Sequence, residues 1–251
     1  MNTLKTVGLT ERMIIGIVDK KDGFKIYNKS NVTFCGQRLY TLNLIKKLPD
    51  GTKEKVPAFF TELENAEDLK LLEEIEKLWT ADTSYGGRII SHFKDALGLS
   101  NLRNRTNVDV NNILSGFDKA KYFVIECPQF KNLKERIRTI SEIGYRPLFL
   151  DKYKIRYLQS SSQINSISNI EGQGLNMIGC VVKYAMDNNV ETINLIATKE
   201  SRGFYEKAGF KPLGNKHNPC GYYADKNSYQ DILNIIKAKY GEILSVIKNE
   251  N

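Results

Sequence analysis

Two glycines in the C-terminal half, Gly172 and Gly174, have the residue type and the spacing to bind a charged ligand. They lie where a strand-like segment meets a predicted helix. Glycine lets the backbone approach a ligand closely, and the free N–H groups at the start of a helix attract anions. The pattern therefore predicts a cradle for a pyrophosphate group. A plain tight turn before the helix would use the same two residues.

A second motif, which contains a tyrosine, follows after a predicted strand from Thr192 to Thr198. Its sequence is FYEKAGF, from Phe204 to Phe210. Its tyrosine, Tyr205, either has a chemical role or is an aromatic residue packed beneath a short helix. Phe204 and Phe210 are expected in the core.

The order of these features over Ile164 to Phe210 resembles the core of the GNAT superfamily of acyl-CoA-dependent N-acyltransferases. The family signature is Q/R-x-x-G-x-G/A, a helix, a strand, and a short helix that ends in Tyr-x-x-x-Gly-Phe. A looser resemblance extends from Tyr122 to Asp225 and leaves the N-terminal part of the chain uncovered. The resemblance implies a splayed mixed sheet that admits acetyl-CoA as co-substrate between two strands, with no metal.

The resemblance also implies a role for individual positions. It places the cofactor pyrophosphate on the backbone of Asn169 to Gly174, and the thioester sulfur beside Tyr205. A phenol in that position can protonate the departing thiolate, a role worth roughly 10²–10⁴-fold in rate when the donor is well placed. The segment from Ile164 to Ile167 would end the strand whose main-chain groups pair with the pantetheine arm. The implied cofactor-binding residues are Ile164, Asn165, Ile167, Asn169, Glu171, Gly172, Gln173, Gly174, Leu175, Thr198, Ser201 and Tyr205.

Three positions depart from the family pattern without removing the backbone donors. Asn169 stands where the family usually has Gln or Arg, so a long side chain is missing. Thr198 and Ser201 stand where Asn and Ala are common, and both are small and compatible. We expect cofactor binding to survive these changes.

The general base is the role for which the motif supplies no residue. A free lysine has a pKa near ~10.4 and must lose a proton before it attacks a thioester. Some relatives place a Glu early in the strand before the glycines, but the matching position is Leu158, flanked by Tyr157 and Gln159. Glu126, in the apolar run FVIEC, is the first candidate, because a buried carboxylate has either a raised pKa or a structural partner. A water chain that ends at Asp151, or at backbone carbonyl groups, is equally consistent with the family.

Composition and charge restrict the other classes of function. The chain has 251 residues, and its apolar runs are far shorter than the roughly 20 residues that span a bilayer. The formal charge of +8 fits a phosphate-bearing partner, but the basic residues are dispersed. The densest basic stretch, Lys131 to Arg138, is interleaved with Glu135 and is typical of a solvated helix face. Tight nucleic-acid binding is therefore not expected.

Cysteine and histidine usage gives no metal or disulfide pattern. His92 and His217 lack the paired spacing of metal ligands; either could serve as the general base, but both are expected to be ordinary surface or capping residues. The N-terminus has no signal-peptide pattern, so we expect a cytoplasmic protein, with delivery by a signal-less secretion system left open. The cysteines lie far apart and are predicted to be reduced and outside any catalytic setting, at Cys35, Cys127, Cys180 and Cys220.

Two domains are predicted, 1–105 and 106–251, and they differ in their pattern of strands and helices. From Met13 to Phe60 short β-rich runs alternate with turn signals such as Pro49-Asp50-Gly51, and a helix follows that ends near Trp79. A further helix is predicted around Ile89 to Leu97, before a polar linker. This N-terminal lobe is a candidate substrate-recognition region.

The second predicted domain alternates strands and helices. KYFVIEC, PLFL, KIRYLQSS and TINLIAT are predicted strands. A helical face is predicted from Phe130 to Ile143, ending at Gly144, and another helix follows the glycine motif. Ser228 and Asp231 open a last amphipathic helix, whose apolar stripe extends through Tyr240 to Ile247 and should pack on the body.

Together these observations predict an α/β (α+β) protein with a GNAT-like mixed sheet and a β-rich N-terminal lobe. The predicted activity is direct transfer of an acetyl group from acetyl-CoA to an amine within a ternary complex. The sequence leaves the acceptor open between a protein lysine, an N-terminus, a small amine such as a polyamine or an aminoglycoside, and an aminoacyl-tRNA. The alternative is a catalytically degenerate binding module of the same fold, for nucleic acid or a protein partner.

Overall fold

The computed structural model describes residues 34, 36–63, 68, 71–72, 75, 119–131, 133–146, 149–160, 169–214 and 219–246. The strands are β1 (Gln37–Lys47), β2 (Lys53–Leu63), β3 (Lys119–Glu126), β4 (Ile137–Arg146), β5 (Phe149–Ser160), β6 (Ile170–Glu171), β7 (Thr192–Ile196), β8 (Lys211–Pro212), β9 (Gly221–Asp225) and β10 (Leu244–Ser245). The helices are α1 (Leu133–Arg136), α2 (Gln173–Asp187), α3 (Arg202–Lys207) and α4 (Lys226–Tyr240). The strands predicted before residue 34, the helix at 89–97 and the linker after it lie outside the described residues.

These strands form one sheet in the order β10-β1-β2-β3-β4-β5-β7-β9-β8, with β6 also paired to β1. The pairs are antiparallel except for β5 and β7, which run parallel. The predicted mixed α/β class is therefore confirmed. Strands β1 and β2 precede residue 105 and join the later strands through the β2–β3 pair. Both predicted domains thus contribute strands to the same sheet.

The hairpin between β1 and β2 confirms the turn predicted at Pro49 to Gly51. Gly51 has φ 82, a value that L residues other than glycine rarely adopt. Its N–H donates to the carbonyl of Leu48 at 2.9 Å. The carboxylate of Asp50 accepts hydrogen bonds from the backbone N–H and the hydroxyl of Thr52, which stabilises the turn locally.

Strand β4 corrects the helix predicted from Phe130 to Ile143. The chain makes one helical turn, α1, and then becomes a strand up to Arg146. Strand β4 lies between β3 and β5, and both of its faces are covered, so its isoleucines carry no alternating pattern. A short apolar run of this kind is ambiguous by periodicity alone, and tertiary burial decided the outcome. The two strands predicted after it are the single strand β5.

Apolar residues cover both faces of the sheet. The larger cluster lies beneath α2 and α4, and includes Phe60, Phe123 and Ile236. The smaller cluster lies on the opposite face and includes Leu72 and Ile75, whose helical conformation agrees with the predicted first helix. Within the described ranges, no helix is both long enough and apolar enough to cross a membrane.

Helix α4 packs on the body as its amphipathic stripe predicted. It begins earlier than expected, because Asp225 is the N-cap and forms a capping box with Ser228. It ends at Tyr240, where Gly241 has φ 96. Ile243 therefore lies beyond the helix, although it still packs against the core.

Candidate functional site

The start of α2 has free backbone donors and no negative charge of its own. Gly172 is the N-cap residue, with φ 92 and ψ 0, and no side chain caps the helix. The first turn contains no acidic residue. Because the first N–H groups of a helix have no intrahelical acceptor, this end can bind an anion such as a phosphate. The conformation of Gly172 is strained for other residues, which explains why glycine stands here.

Strand β1 holds the loop that leads into α2. Ile45 pairs with Glu171 in antiparallel register, and the N–H of Lys47 donates to the carbonyl of Asn169 at 2.9 Å. The ammonium of Lys47 also forms an ion pair with the Glu171 carboxylate at 2.5 Å. Asn169 itself adopts φ 51. The N-terminal part of the chain therefore positions the predicted cofactor loop, a contribution that the sequence did not indicate.

Two polar side chains of the first turn point into the protein. Gln173 is buried, and its amide donates to the carbonyl of Ile170 at 2.9 Å. The amide of Asn176 donates to the carbonyl of Gly172 at 3.0 Å and to that of Asn43 at 3.3 Å. These bonds fix the loop, so the backbone of Gln173 is the part that can face a ligand.

The sheet opens between β5 and β7. Their parallel pairing covers Lys152–Ile155 and Thr192–Leu195, and β7 ends at Ile196. Strand β5 continues to Ser160. In the part of the chain that the structure describes, β5 after Ile155 therefore has no strand partner on the β7 side. The main-chain groups on that side of β5 are therefore available to hydrogen-bond another extended chain. The predicted splay of the sheet is present.

A buried ion pair lies where the opening begins. Arg156 is an extra residue in β5, because Ile155 and Tyr157 pair with successive residues of β4. Its guanidinium donates to the Glu142 carboxylate at 2.8 Å, and the two side chains are only 8% and 1% exposed. A Cβ atom at Gly144 would lie 2.5 Å from Nε of Arg156. Glycine at this position leaves room for the side chain of Arg156 to lie over β4 and reach Glu142 in the same strand.

A pocket of about 500 Å³ lies at the start of α2. A Cβ atom at Gly174 would lie 3.2 Å from the ring of Phe204 and 3.8 Å from the hydroxyl of Ser160. The first turn of α2, the end of β5 and helix α3 therefore meet here. The lining residues are Ser160, Ile170, Glu171, Gly172, Gln173, Gly174, Leu175, Phe204 and Tyr240.

The structure brings five of the predicted cofactor residues together in this pocket, from Glu171 to Leu175. Sequence reasoning missed Ser160, whereas Ile170 falls within the backbone range Asn169 to Gly174 that it assigned to the pyrophosphate. Phe204 packs against the core, as expected, and also lines the pocket. Sequence reasoning treated Tyr240 as one member of the apolar stripe of α4. The only sequence signal for Tyr240 is that a large aromatic residue ends this stripe immediately before a glycine.

Tyr205 lies next to the pocket residue Phe204 and is itself buried. Its ring packs edge-on against the rings of Phe204 and Phe210, with centroids 5.1 Å and 6.0 Å apart. Its hydroxyl makes no hydrogen bond to any other described residue. Burial raises the pKa of Tyr205 to about 12. The phenol is therefore protonated at neutral pH, as a proton donor must be.

Thr198 and Ser201 lie in the turn before α3 and outside the pocket lining. Their hydroxyl groups are 3.1 Å apart, and the N–H of Ser201 donates to the carbonyl of Thr198 at 3.1 Å. These bonds set the direction in which α3 starts. The remaining predicted cofactor positions, Ile164, Asn165 and Ile167, lie outside the described residues.

The carboxylate of Glu126 has a structural partner, which is one of the two alternatives that its burial predicted. Its carboxylate accepts hydrogen bonds from Arg38 at 2.9 Å and from Thr61 at 3.4 Å. Two strands, β4 and β5, separate it from β7. At ~4.8 Å per strand it lies about 14 Å from β7 across the sheet. Asp151, the other acidic candidate, is half-exposed at the start of β5.

No protein-family model and no curated protein sequence matches this chain. Among solved structures, a chimera of the spermidine N-acetyltransferase SpeG from Vibrio cholerae and hSSAT is similar at a TM-score of 0.45 and 16% identity. The match covers 69% of this chain and 98% of that one. A GNAT-family acetyltransferase from Staphylococcus aureus Mu50 is similar at a TM-score of 0.41 and 13% identity. This second match covers 67% and 98% of the two chains.

Proposed function

We propose that this chain is an N-acetyltransferase that moves an acetyl group from acetyl-CoA directly to an amine. The observation that carries the proposal is the meeting of two features in one pocket. The uncapped start of α2 at Gly172 and Gly174 supplies an anion site, and the strand opening ends beside it at Ser160. Coenzyme A joins a pyrophosphate to a long arm that contains two amide groups, and it matches both features.

The unpaired part of β5 suits the amide groups of the pantetheine arm. Main-chain N–H and C=O groups from Arg156 to Ser160 have no β7 partner among the described residues. Amide groups of the arm can complete this edge as an added strand would. The thioester then lies within the opening, and the acceptor amine attacks its carbonyl carbon from the opposite side.

In the proposed transfer, a C–N bond forms and the C–S bond breaks. The amine gives up a proton, and the departing CoA thiolate receives one from the phenol of Tyr205. The phenol of Tyr205 is protonated at neutral pH, and burial, which raises its pKa to about 12, widens that margin. Recovery of the phenolic proton, directly or through water, restores the enzyme.

Direct transfer is favoured over an acyl-enzyme by the state of the buried thiols. Burial raises the pKa of Cys127 to about 12 and raises that of Cys180 as well. Both are therefore thiols at neutral pH, and a thiol is a poor nucleophile. Neither they nor Cys220 lines the pocket.

Binding is tested first, by calorimetry with acetyl-CoA, free CoA and ATP. A rise in melting temperature on addition of the ligand is the second measure of binding, because a ligand at 100 times its Kd adds about 2.7 kcal/mol of stability. In Gly174→Leu the new side chain meets Phe204 and fills the pocket, so acetyl-CoA affinity should fall at least ~10-fold. Gly203→Leu is the matched control, because no described atom lies within 4 Å of a Cβ atom there. Unchanged acetyl-CoA affinity in a folded Gly174→Leu protein refutes pyrophosphate binding at Gly172 and Gly174.

Transfer is tested with spermidine, a lysine peptide and a peptide with a free N-terminus as acceptors. Thiol release is followed with a chromogenic disulfide, and acetylated products are identified by mass spectrometry. Acetyl-CoA binding with no product from any acceptor would favour the binding-module alternative. Submicromolar RNA or DNA binding with a steep salt dependence would favour it further, because such a slope reports several phosphate contacts.

A further inference from the structure

The pocket at the start of α2 has two ends with different surroundings. One end is formed by Ser160 and Phe204, which lie close to Gly174. The other end is formed by Tyr240, whose ring lies directly against Gly172, so that a Cβ atom on this glycine would overlap the ring. The backbone from Gly172 to Gly174 connects the two ends.

The direction of the bound cofactor follows from these two ends, and this step rests on the function proposed above. The strand opening lies at the Ser160 end, so the pantetheine arm must leave the pyrophosphate in that direction. The nucleoside is attached to the opposite side of the pyrophosphate. It must therefore extend past Gly172 toward Tyr240.

Tyr240 has the chemistry of a stacking surface. It is the last residue of α4, and Gly241 ends the helix behind it with φ 96. Its ring is half-buried and packs on the core, which limits its motion. Burial and the negative charge of Glu171 both raise the pKa of Tyr240, so the ring is a neutral phenol at ordinary pH. A flat, neutral and restrained aromatic ring beside a phosphate site is suited to a purine base.

We propose that Tyr240 forms the nucleoside subsite of this pocket and stacks on the adenine of coenzyme A. The subsite lies outside both motifs, because Tyr240 is contributed by the C-terminal helix. It makes the site select a carrier that bears an adenosine nucleotide over one that bears phosphopantetheine alone.

The test measures the affinity of three probes for the full chain by calorimetry. The probes are CoA, adenosine 3′,5′-bisphosphate and 4′-phosphopantetheine, which separate the nucleotide from the arm. In Tyr240→Leu the Kd of CoA and of the bisphosphate should rise about 5- to 150-fold, the range measured for the loss of one base–aromatic stack. The Kd of phosphopantetheine should stay unchanged, and Tyr240→Phe should bind all three probes like the native chain.

Tyr223→Leu is the matched control, since Tyr223 lies in β9 and does not line the pocket. It should leave all three affinities unchanged. An equal loss for all three probes in Tyr240→Leu would indicate that Tyr240 only supports the loop, and would overturn the proposal. Unchanged CoA affinity would overturn it as well.

Photolabelling of the native chain covers the case in which Tyr240→Leu does not fold. 8-Azidoadenosine 3′,5′-bisphosphate should label the peptide that contains Tyr240, and excess CoA should prevent the labelling. Labelling confined to another peptide would overturn the subsite while leaving the proposed function intact. If the native chain binds neither CoA nor acetyl-CoA, the proposed function fails and the subsite fails with it.

Discussion

Replacing Glu142 by leucine should strongly destabilise the protein, because it leaves the charge of Arg156 buried without its partner. The pair is 2.8 Å apart, and its side chains are 8% and 1% exposed. Removing one member of a buried pair typically costs about 3–5 kcal/mol. A domain of this kind has a total stability of about 5–15 kcal/mol, so a fifth or more of it should be lost.

The double variant Glu142→Leu with Arg156→Met separates stability from function. Replacing both members of a buried pair by apolar residues is often neutral or stabilising by ~1–4 kcal/mol, so stability should return. The double variant nevertheless lacks the ion pair that holds the extra residue of β5, at position 156, in place. If the strand opening is then populated in about a tenth of the molecules, the apparent Kd for acetyl-CoA rises about 10-fold.

Urea unfolding followed by circular dichroism gives the stabilities, and calorimetry gives the affinities. Glu242→Leu is the control for loss of an ion pair, because the Lys237–Glu242 pair is more than half exposed and should contribute little. A loss below about 1 kcal/mol in Glu142→Leu would contradict the stability argument. Native acetyl-CoA affinity in the double variant would contradict the link between the pair and the opening.

Two further predictions concern chemistry and folding. In Tyr205→Phe, kcat should fall by roughly 10²-fold while the Kd for acetyl-CoA barely changes, because packing is kept and the proton donor is lost. Native steady-state rates, measured where chemistry is rate-limiting, would exclude Tyr205 as the proton donor. Asp225→Ala should cost about 0.5–2 kcal/mol in thermal unfolding, because the N–H of Ser228 loses its 3.0 Å hydrogen bond. Asp225→Asn should recover most of this loss, and a melting temperature equal to the native value in Asp225→Ala would show that the capping box is unimportant.

Local sequence determined the elements whose residues interact with near neighbours. Helix α2 follows its glycines as predicted, and α3 ends before Gly209, which has φ 97. The turn at Gly51 and the strand β3 also agree with the prediction. Each depends on backbone freedom, capping or periodicity over a few positions, which the sequence displays directly.

Tertiary structure alone decided β4 and the surroundings of the pocket. Strand β4 has isoleucines at positions that also fit a helix, and its place between β3 and β5 settles its conformation. Lys47, Arg156 and Tyr240 reach the site from three separate elements, through strand register and helix packing. Register depends on which strands become neighbours, and contacts between distant residues form only after the whole sheet assembles. The glycine motif therefore marks where a phosphate can bind, whereas the fold determines what surrounds it.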